Sequence, residues 1–367
     1  MKLSGLQIFW LMFTFETGNM VLLTIGPVMK EANQDVWISY FIANLLGVLI
    51  VYGATKAALL YPKLTFIQYS QIILGKLLGT ILVLNYLVQW YSVVGNILRQ
   101  FADLTITLLL PNTPSWILFL TMLLLLIYVT FIGGIEGIGR CAEVFGPIII
   151  TSVVLLILLS IKDFQILNFL PVFIDTGIQS IWKGALNPLA FFGESAIMLM
   201  LVSFMEKPDK AIKSAVFGIV CAGIFVTFVA ICVLLVFGPE ISGKLRHPSF
   251  DLVSYISVLD FIQNLEIVAI LVWILSVFIK LSVYFFLACY GTAQLFKLKD
   301  WRKMIWLAAI LFFALAQFYP GTSYTFGFMN TYWIYYALPI NAVGIPLFLR
   351  MIAVIRKSKP QTNHSSN

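Results

Sequence analysis

Apolar residues run in blocks of about twenty along nearly the whole chain, separated by short polar stretches. A helix of about that length crosses the hydrocarbon of a bilayer, so the pattern predicts an all-α membrane protein with about ten transmembrane helices. The spans fall at approximately 6–29, 37–57, 78–102, 115–133, 145–161, 181–205, 212–237, 265–295, 304–319 and 332–355. The eighth exceeds what a bilayer needs and is expected to tilt or project. Residues 62–77 are amphipathic and suit the membrane interface. The loop at 238–262 alternates at helical spacing in its second half, which predicts a short surface helix.

Two groups of five spans place the second five in inverted orientation, with repeats at about 6–161 and 181–355 inside one domain, 1–356. The tail 357–367 is polar and expected to be disordered. Inversion makes helices 1 and 6 equivalents, and both carry helix-interrupting residues. Helix 1 has Thr17-Gly18-Asn19 and, later, Thr24-Ile25-Gly26-Pro27. Helix 6 has Asn187-Pro188 and Phe191-Phe192-Gly193-Glu194. Glycine and proline often mark only kinks in membrane helices. Interruptions at corresponding positions in two halves point instead to a transporter binding site, because unwound backbone must face protein, water or ligand.

Composition sharpens this picture. The chain is 61% hydrophobic and 11% charged, too few charges to cover a soluble protein of this length. The net charge of +7 is a topology signal rather than a nucleic-acid patch. Of the 23 basic residues only Lys30, Lys162, Lys183, Lys244 and Arg246 fall outside if the N-terminus is inside, and Arg99 and Lys280 lie within spans. That bias predicts both termini in the cytoplasm. The first apolar run continues through Glu16 to Met29 without a small-residue cleavage site and reads as a retained helix. Four cysteines and two distant histidines suggest neither a disulfide framework nor a transition-metal site. No cofactor is implied, and with no histidine in any span a Ser/His/Asp constellation is excluded there. The glycine-rich run 134–140 lacks the strand–loop–helix context of a phosphate loop. Nothing indicates an enzyme.

The candidate chemistry lies at membrane depth. Glu16, Glu194 and Lys280 sit near the centres of spans, where a charge costs about 3 kcal/mol or more. Lys280 is too deep to snorkel and needs a carboxylate or carbonyl partner. Two carboxylates against one ammonium leave a negative charge unmatched, unless one glutamate holds a proton. That opens proton linkage, beside the alternative of a purely structural ion pair. Helix 3 carries Asn85, Gln89, Ser92, Asn96, Arg99 and Asp103 at alternating spacings of four and three, so all six share one face. Such a stripe faces a cavity or a polar neighbouring helix. Arg99 and Asp103 are placed to pair. Helix 8 aligns Trp273, Ser276, Lys280 and Tyr284 in the same way.

The order and spacing of several short motifs resemble the spore germination permease family, the B subunits of spore germinant receptors, within the amino acid–polyamine–organocation superfamily. They include Gln34-Asp35-Val36-Trp37-Ile38-Ser39, Tyr61-Pro62, residues 72–79, Leu98-Arg99-Gln100-Phe101 and residues 110–114. Gly134-Ile135-Glu136 with Gly139, Arg140 and Glu143, then Phe192-Gly193-Glu194, and Trp273 with Lys280 complete the set. The resemblance covers nearly the whole chain and implies a LeuT-type fold with a ligand among helices 1, 3, 6 and 8. Those helices supply Thr17, Gly18, Asn19, Gln89, Asn96, Phe191, Gly193, Glu194, Ser276 and Lys280 as ligand-binding candidates, with Glu16, Glu194 and Lys280 for proton or charge coupling. It further implies a germinant-sensing subunit for a small molecule such as an amino acid. The implied location is the inner membrane of the spore, with A and C subunits as partners. A proton-coupled amino acid symporter is the alternative, and a germinant-opened channel a third possibility. In the fold, exposed amides of helix 1 receive a substrate carboxylate, and helix 8 normally offers hydroxyls toward sodium. Lys280 is expected to stand in for that cation, bracing helix 8 against helix 1 or helix 6.

Overall fold

The computed structural model describes residues 1–174, 176–255, 265–319, 321 and 330–356. Apart from an isolated bridge between Leu3 and Met205, these residues are helices and connecting loops. The helices are α1 (Gly5–Leu23), α2 (Ile25–Ala32), α3 (Val36–Ala58), α4 (Phe66–Leu74), α5 (Lys76–Leu108) and α6 (Ser115–Ser160). They continue as α7 (Gly177–Phe192), α8 (Met198–Leu201), α9 (Ala211–Ser242), α10 (Pro248–Tyr255), α11 (Glu266–Leu295), α12 (Lys303–Phe318) and α13 (Ile345–Arg356). A π-helical segment, Trp333–Gly344, leads into α13.

Among the described residues eight helical stretches are long and apolar enough to cross a membrane, and α12 is a shorter apolar helix. One of the eight, Ser115–Asp163, has 49 residues and contains two of the predicted spans. They separate at Gly134, whose φ of 53° and ψ of −149° lie outside the helical region. An L-residue with a side chain is strained there, so glycine permits the break. With α12, the predicted ten crossings are recovered.

Local sequence explains the helix ends. Ser4 caps α1: its hydroxyl accepts the Gln7 N–H at 3.1 Å, and the Gln7 side chain accepts the Ser4 N–H at 2.9 Å. Thr65 and Gln68 form the same box before α4, the predicted interfacial helix. Gly75, at φ 85°, ends α4 and lets α5 turn into the membrane. The short helix predicted in the loop at 238–262 is α10; the rest of that prediction, 256–262, lies outside the described residues, as does the tail 357–367.

The bundle buries the helices that carry the candidate chemistry. Nearly every residue of α1 from Leu11 to Met20 is buried, as is α11 from Ile279 to Cys289. Apolar side chains elsewhere face outward, among them Phe41, Leu45 and Leu49 of α3 and Leu124 and Leu125 of α6. A lipid solvent makes that arrangement stable, because tails are as apolar as leucine. All four cysteines are unpaired.

The two predicted interruptions differ from each other. In the sixth span α7 tightens into a 3₁₀ turn at Gly193–Ile197 before α8, as its Gly193-Glu194 suggests. In the first span the helix continues through Thr17-Gly18-Asn19, and α1 and α2 meet at Thr24, where the backbone stays near helical and the Thr24 N–H still donates to the Met20 carbonyl at 3.0 Å. Gly18 therefore serves another purpose than unwinding.

Candidate functional site

That purpose is close approach. A Cβ on Gly18 would lie 2.4 Å from Ser276 Oγ and 2.5 Å from its Cβ. With no side chain there, α1 seats directly on α11. Ser276 Oγ accepts the Gly18 N–H at 2.9 Å and donates to the Thr14 carbonyl, which stitches the two helices together. Because α1 is still helical here, no free amide cluster at residues 17–19 awaits an anion. Thr17 donates its hydroxyl to the Phe13 carbonyl.

One turn further along α11, Lys280 meets Glu194 of the 3₁₀ turn, Nζ to Oε1 at 2.8 Å. Tyr284 donates to the other oxygen, Oε2, at 2.6 Å. The ammonium also lies 4.8 Å from the centre of the Phe15 ring and 5.3 Å from that of Phe191. Lys280 and Glu194 are only 1% and 5% exposed. Two charges removed this far from water persist only when their remaining hydrogen-bonding capacity is also met, and here both carboxylate oxygens and two ring faces meet it. Lys280 thus braces α11 against the sixth span, and against α1 through the Phe15 ring.

Glu16 is different. It is fully buried, and neither carboxylate oxygen has a hydrogen-bond partner among the described residues. It lies close enough to feel the charges of Lys280 and Glu194. The predicted imbalance of two carboxylates against one ammonium is present in the fold, with Glu16 as the unmatched member.

Two of the six stripe residues on α5, Asn85 and Gln89, meet another helix. Asn341, in the π-helical segment, donates to Gln89 Oε1 and accepts from Asn85 Nδ2 at 2.7 Å. Tyr86 donates to the Asn341 carbonyl, and Tyr336 to Asn85 Oδ1 at 2.9 Å. Arg99 Nε lies 3.0 Å from Asp103 Oδ1, an ion pair by distance rather than an aligned hydrogen bond. Asn96 is buried, and its carbonyl oxygen has no hydrogen-bond partner among the described residues. Sequence reasoning missed Asn341. A lone carboxamide two residues after Pro339 in an apolar span was the available signal.

The candidate residues divide between two cavities. Thr17, Gly18 and Ser276 border one of about 70 Å³, together with Trp273. Gln89, Gly193 and Glu194 border a smaller one of about 10 Å³, with Tyr284 and Asn341. Asn19, Asn96 and Phe191 line neither, and Lys280 lies in the ion pair.

Hydrogen bonds to backbone carbonyls tie separate segments together near both ends of α1. At one end the Leu3 N–H donates to the Phe204 carbonyl at 2.7 Å and the Glu206 N–H to the Leu3 carbonyl at 2.9 Å. At the other, Ser249 of α10 donates to the Val21 carbonyl at 2.9 Å. His247, in the loop before α10, bonds to Leu22 backbone. Burial and the neighbouring Arg246 push its imidazole down to about 4.

A family profile described as spore germination protein matches residues 2–321. The chain belongs to this family. It is similar to spore germination protein YndE of Bacillus subtilis (strain 168), 29% identical over 297 residues, covering 79% of this chain and 80% of the relative. Spore germination protein KB of the same organism is 23% identical over 363 residues, covering 98% and 96%. Spore germination protein XB of Bacillus anthracis is 24% identical over 353 residues, covering 91% of each. Among solved structures, the fold resembles the nucleobase-cation-symport-1 family transporter MHP1 in a closed conformation. The TM-score is 0.70 at 14% identity, over 97% of this chain and 79% of that one. It also resembles a Na⁺-coupled sialic acid symporter, with a TM-score of 0.61 at 13% identity over 95% and 84%. The germination family member is thus a multi-pass, non-enzymatic membrane protein with a LeuT-type transporter fold.

Proposed function

We propose that this germination family protein is the nutrient-sensing integral subunit of a spore germinant receptor, sited in the inner membrane of the spore with both termini cytoplasmic. A small-molecule germinant such as an amino acid binds in the transporter-like core. Binding shifts the bundle between two arrangements, and A and C subunits carry the signal onward. Such a shift needs a ligand that binds one arrangement better than the other; a hundredfold difference corresponds to about 2.7 kcal/mol.

The observation that carries this reading is the Lys280–Glu194–Tyr284 cluster. It gives the fold an internal cation joining α11 to the sixth span, where a cation-coupled pump would need one that comes and goes. Lys280 and Glu194 then act in charge coupling by holding the two elements together, and Gly18 and Ser276 keep α1 on α11. The fully buried Glu16, without a hydrogen-bond partner among the described residues, favours the second reading, a proton-coupled amino acid symporter in which Glu16 carries the proton.

The test is genetic. Spores lacking this gene are exposed to each amino acid singly, and germination is followed as the fall in optical density. Loss of response to a defined subset, restored by the wild-type gene, supports the sensor. An unchanged response across the panel, with A and C subunits failing to co-purify, refutes it.

A further inference from the structure

The cavity of about 70 Å³ lies between α1, the second half of α6, α9, α10 and α11. Its wall is largely hydrocarbon, with Val153, Leu156, Phe225, Leu252 and Val272 typical of it, and among the described residues none that lines it is charged. At roughly 10–15 Å³ of such space per water, it would hold about five waters, or a ligand of about five to seven non-hydrogen atoms.

The polar atoms around it are nearly all committed. The hydroxyls of Thr17, Ser249 and Ser276 donate to the carbonyls of Phe13, Val21 and Thr14, and the Gly18 N–H is taken by Ser276. Trp273 is the exception. It is 6% exposed, it lines the cavity, and its indole N–H has no partner among the described residues. An indole nitrogen can only donate, so what it lacks is an acceptor. Lys280 and Glu194 answer each other's charge, and neither they nor Glu16 line this cavity, so its described wall offers a zwitterion no counter-charge.

We propose that this cavity is a binding site for a small, neutral, branched aliphatic molecule bearing one hydrogen-bond acceptor. The alkyl part packs among the α6 and α9 side chains, and the acceptor takes the Trp273 indole N–H. The proposal rests on the sensor reading and narrows its ligand class. Both helices of the Gly18–Ser276 seam form part of the wall, so occupancy acts directly on the joint between α1 and α11.

Isobutyramide, with six non-hydrogen atoms, is the probe. The full-length protein in lipid nanodiscs is titrated by calorimetry, and its thermal unfolding is followed with and without the amide. Saturable binding is expected. Trp273→Phe is expected to weaken it about fivefold, the fold-change of one lost hydrogen bond. Ala269→Leu, which puts side-chain atoms into the cavity, is expected to abolish it, and Val153→Phe provides a second filling variant should the first fail to fold. The proposal is overturned if isobutyramide fails to bind, or binds the filled and Trp273→Phe proteins as it binds wild type. Binding of valine but not isobutyramide overturns the neutral ligand class and leaves the sensor reading standing. Cavity-dependent isobutyramide binding in a protein whose deletion leaves germination unchanged sustains the site and removes the sensor reading.

Discussion

Replacing Lys280 by Met tests the ion pair most sharply, because Met keeps most of the apolar stem and removes the charge together with its hydrogen bond. Glu194 would retain the Tyr284 hydroxyl at 2.6 Å and lose the ammonium at 2.8 Å. Removing one member of a buried pair costs about 3–5 kcal/mol, since the survivor is a buried charge without a counter-ion. The cation–π contacts with Phe15 and Phe191 add about 1 kcal/mol. A destabilisation of about 4 kcal/mol is therefore expected for Lys280→Met in nanodiscs. Adding Glu194→Gln removes the orphaned charge and should return the protein to within about 1 kcal/mol of wild type. Equilibrium denaturation of the four proteins closes the cycle. The reasoning is refuted if Lys280→Met costs less than about 1 kcal/mol, or if the double variant is as unstable as the two single effects summed.

Gly18→Ala forces a Cβ into Ser276 and should cost about 1–3 kcal/mol in unfolding experiments, with Ser276→Gly restoring part of the loss. Asn341→Leu leaves Asn85 and Gln89 without their partner and should cost about 2 kcal/mol in the same assay; a neutral result would mean that the α5 stripe faces water. His247, held down to about 4 against an ordinary value near 6.5, is favoured neutral in the fold. Its contribution to stability is complete above about pH 6.5 and is lost as pH falls toward 4, because the unfolded chain takes the proton first. Melting temperature followed over that window should fall in wild type and stay flatter in His247→Gln.

Much of this molecule can be read from its sequence. Span lengths and the scarcity of charge are dictated by the bilayer, so the all-helical fold and the number of crossings follow directly. Lys280 and Glu194 are legible as partners because a charge at that depth must be answered and few groups are available to answer it. Gly18 shows the limit: a glycine that lets a helix unwind and one that lets two helices touch look alike, and only Ser276 opposite tells them apart. Asn341 was hidden for the same reason. The α5 stripe announces that something polar faces it, and residue types on one helix do not reveal whether that is a cavity or the π-helical segment. The division of the candidates between two cavities depends on side-chain packing, which periodicity does not encode.

Sensing and pumping by this transporter fold are separated by one measurement. Purified protein in proteoliposomes is given labelled amino acids and labelled isobutyramide, with and without an inward proton gradient, as wild type and Glu16→Gln. A sensor gives saturable binding of at least one probe, no accumulation above the external concentration, and no response to the gradient. Gradient-driven concentrative uptake, lost in Glu16→Gln, would contradict the sensor reading and make the protein a proton-coupled symporter with Glu16 as its carrier.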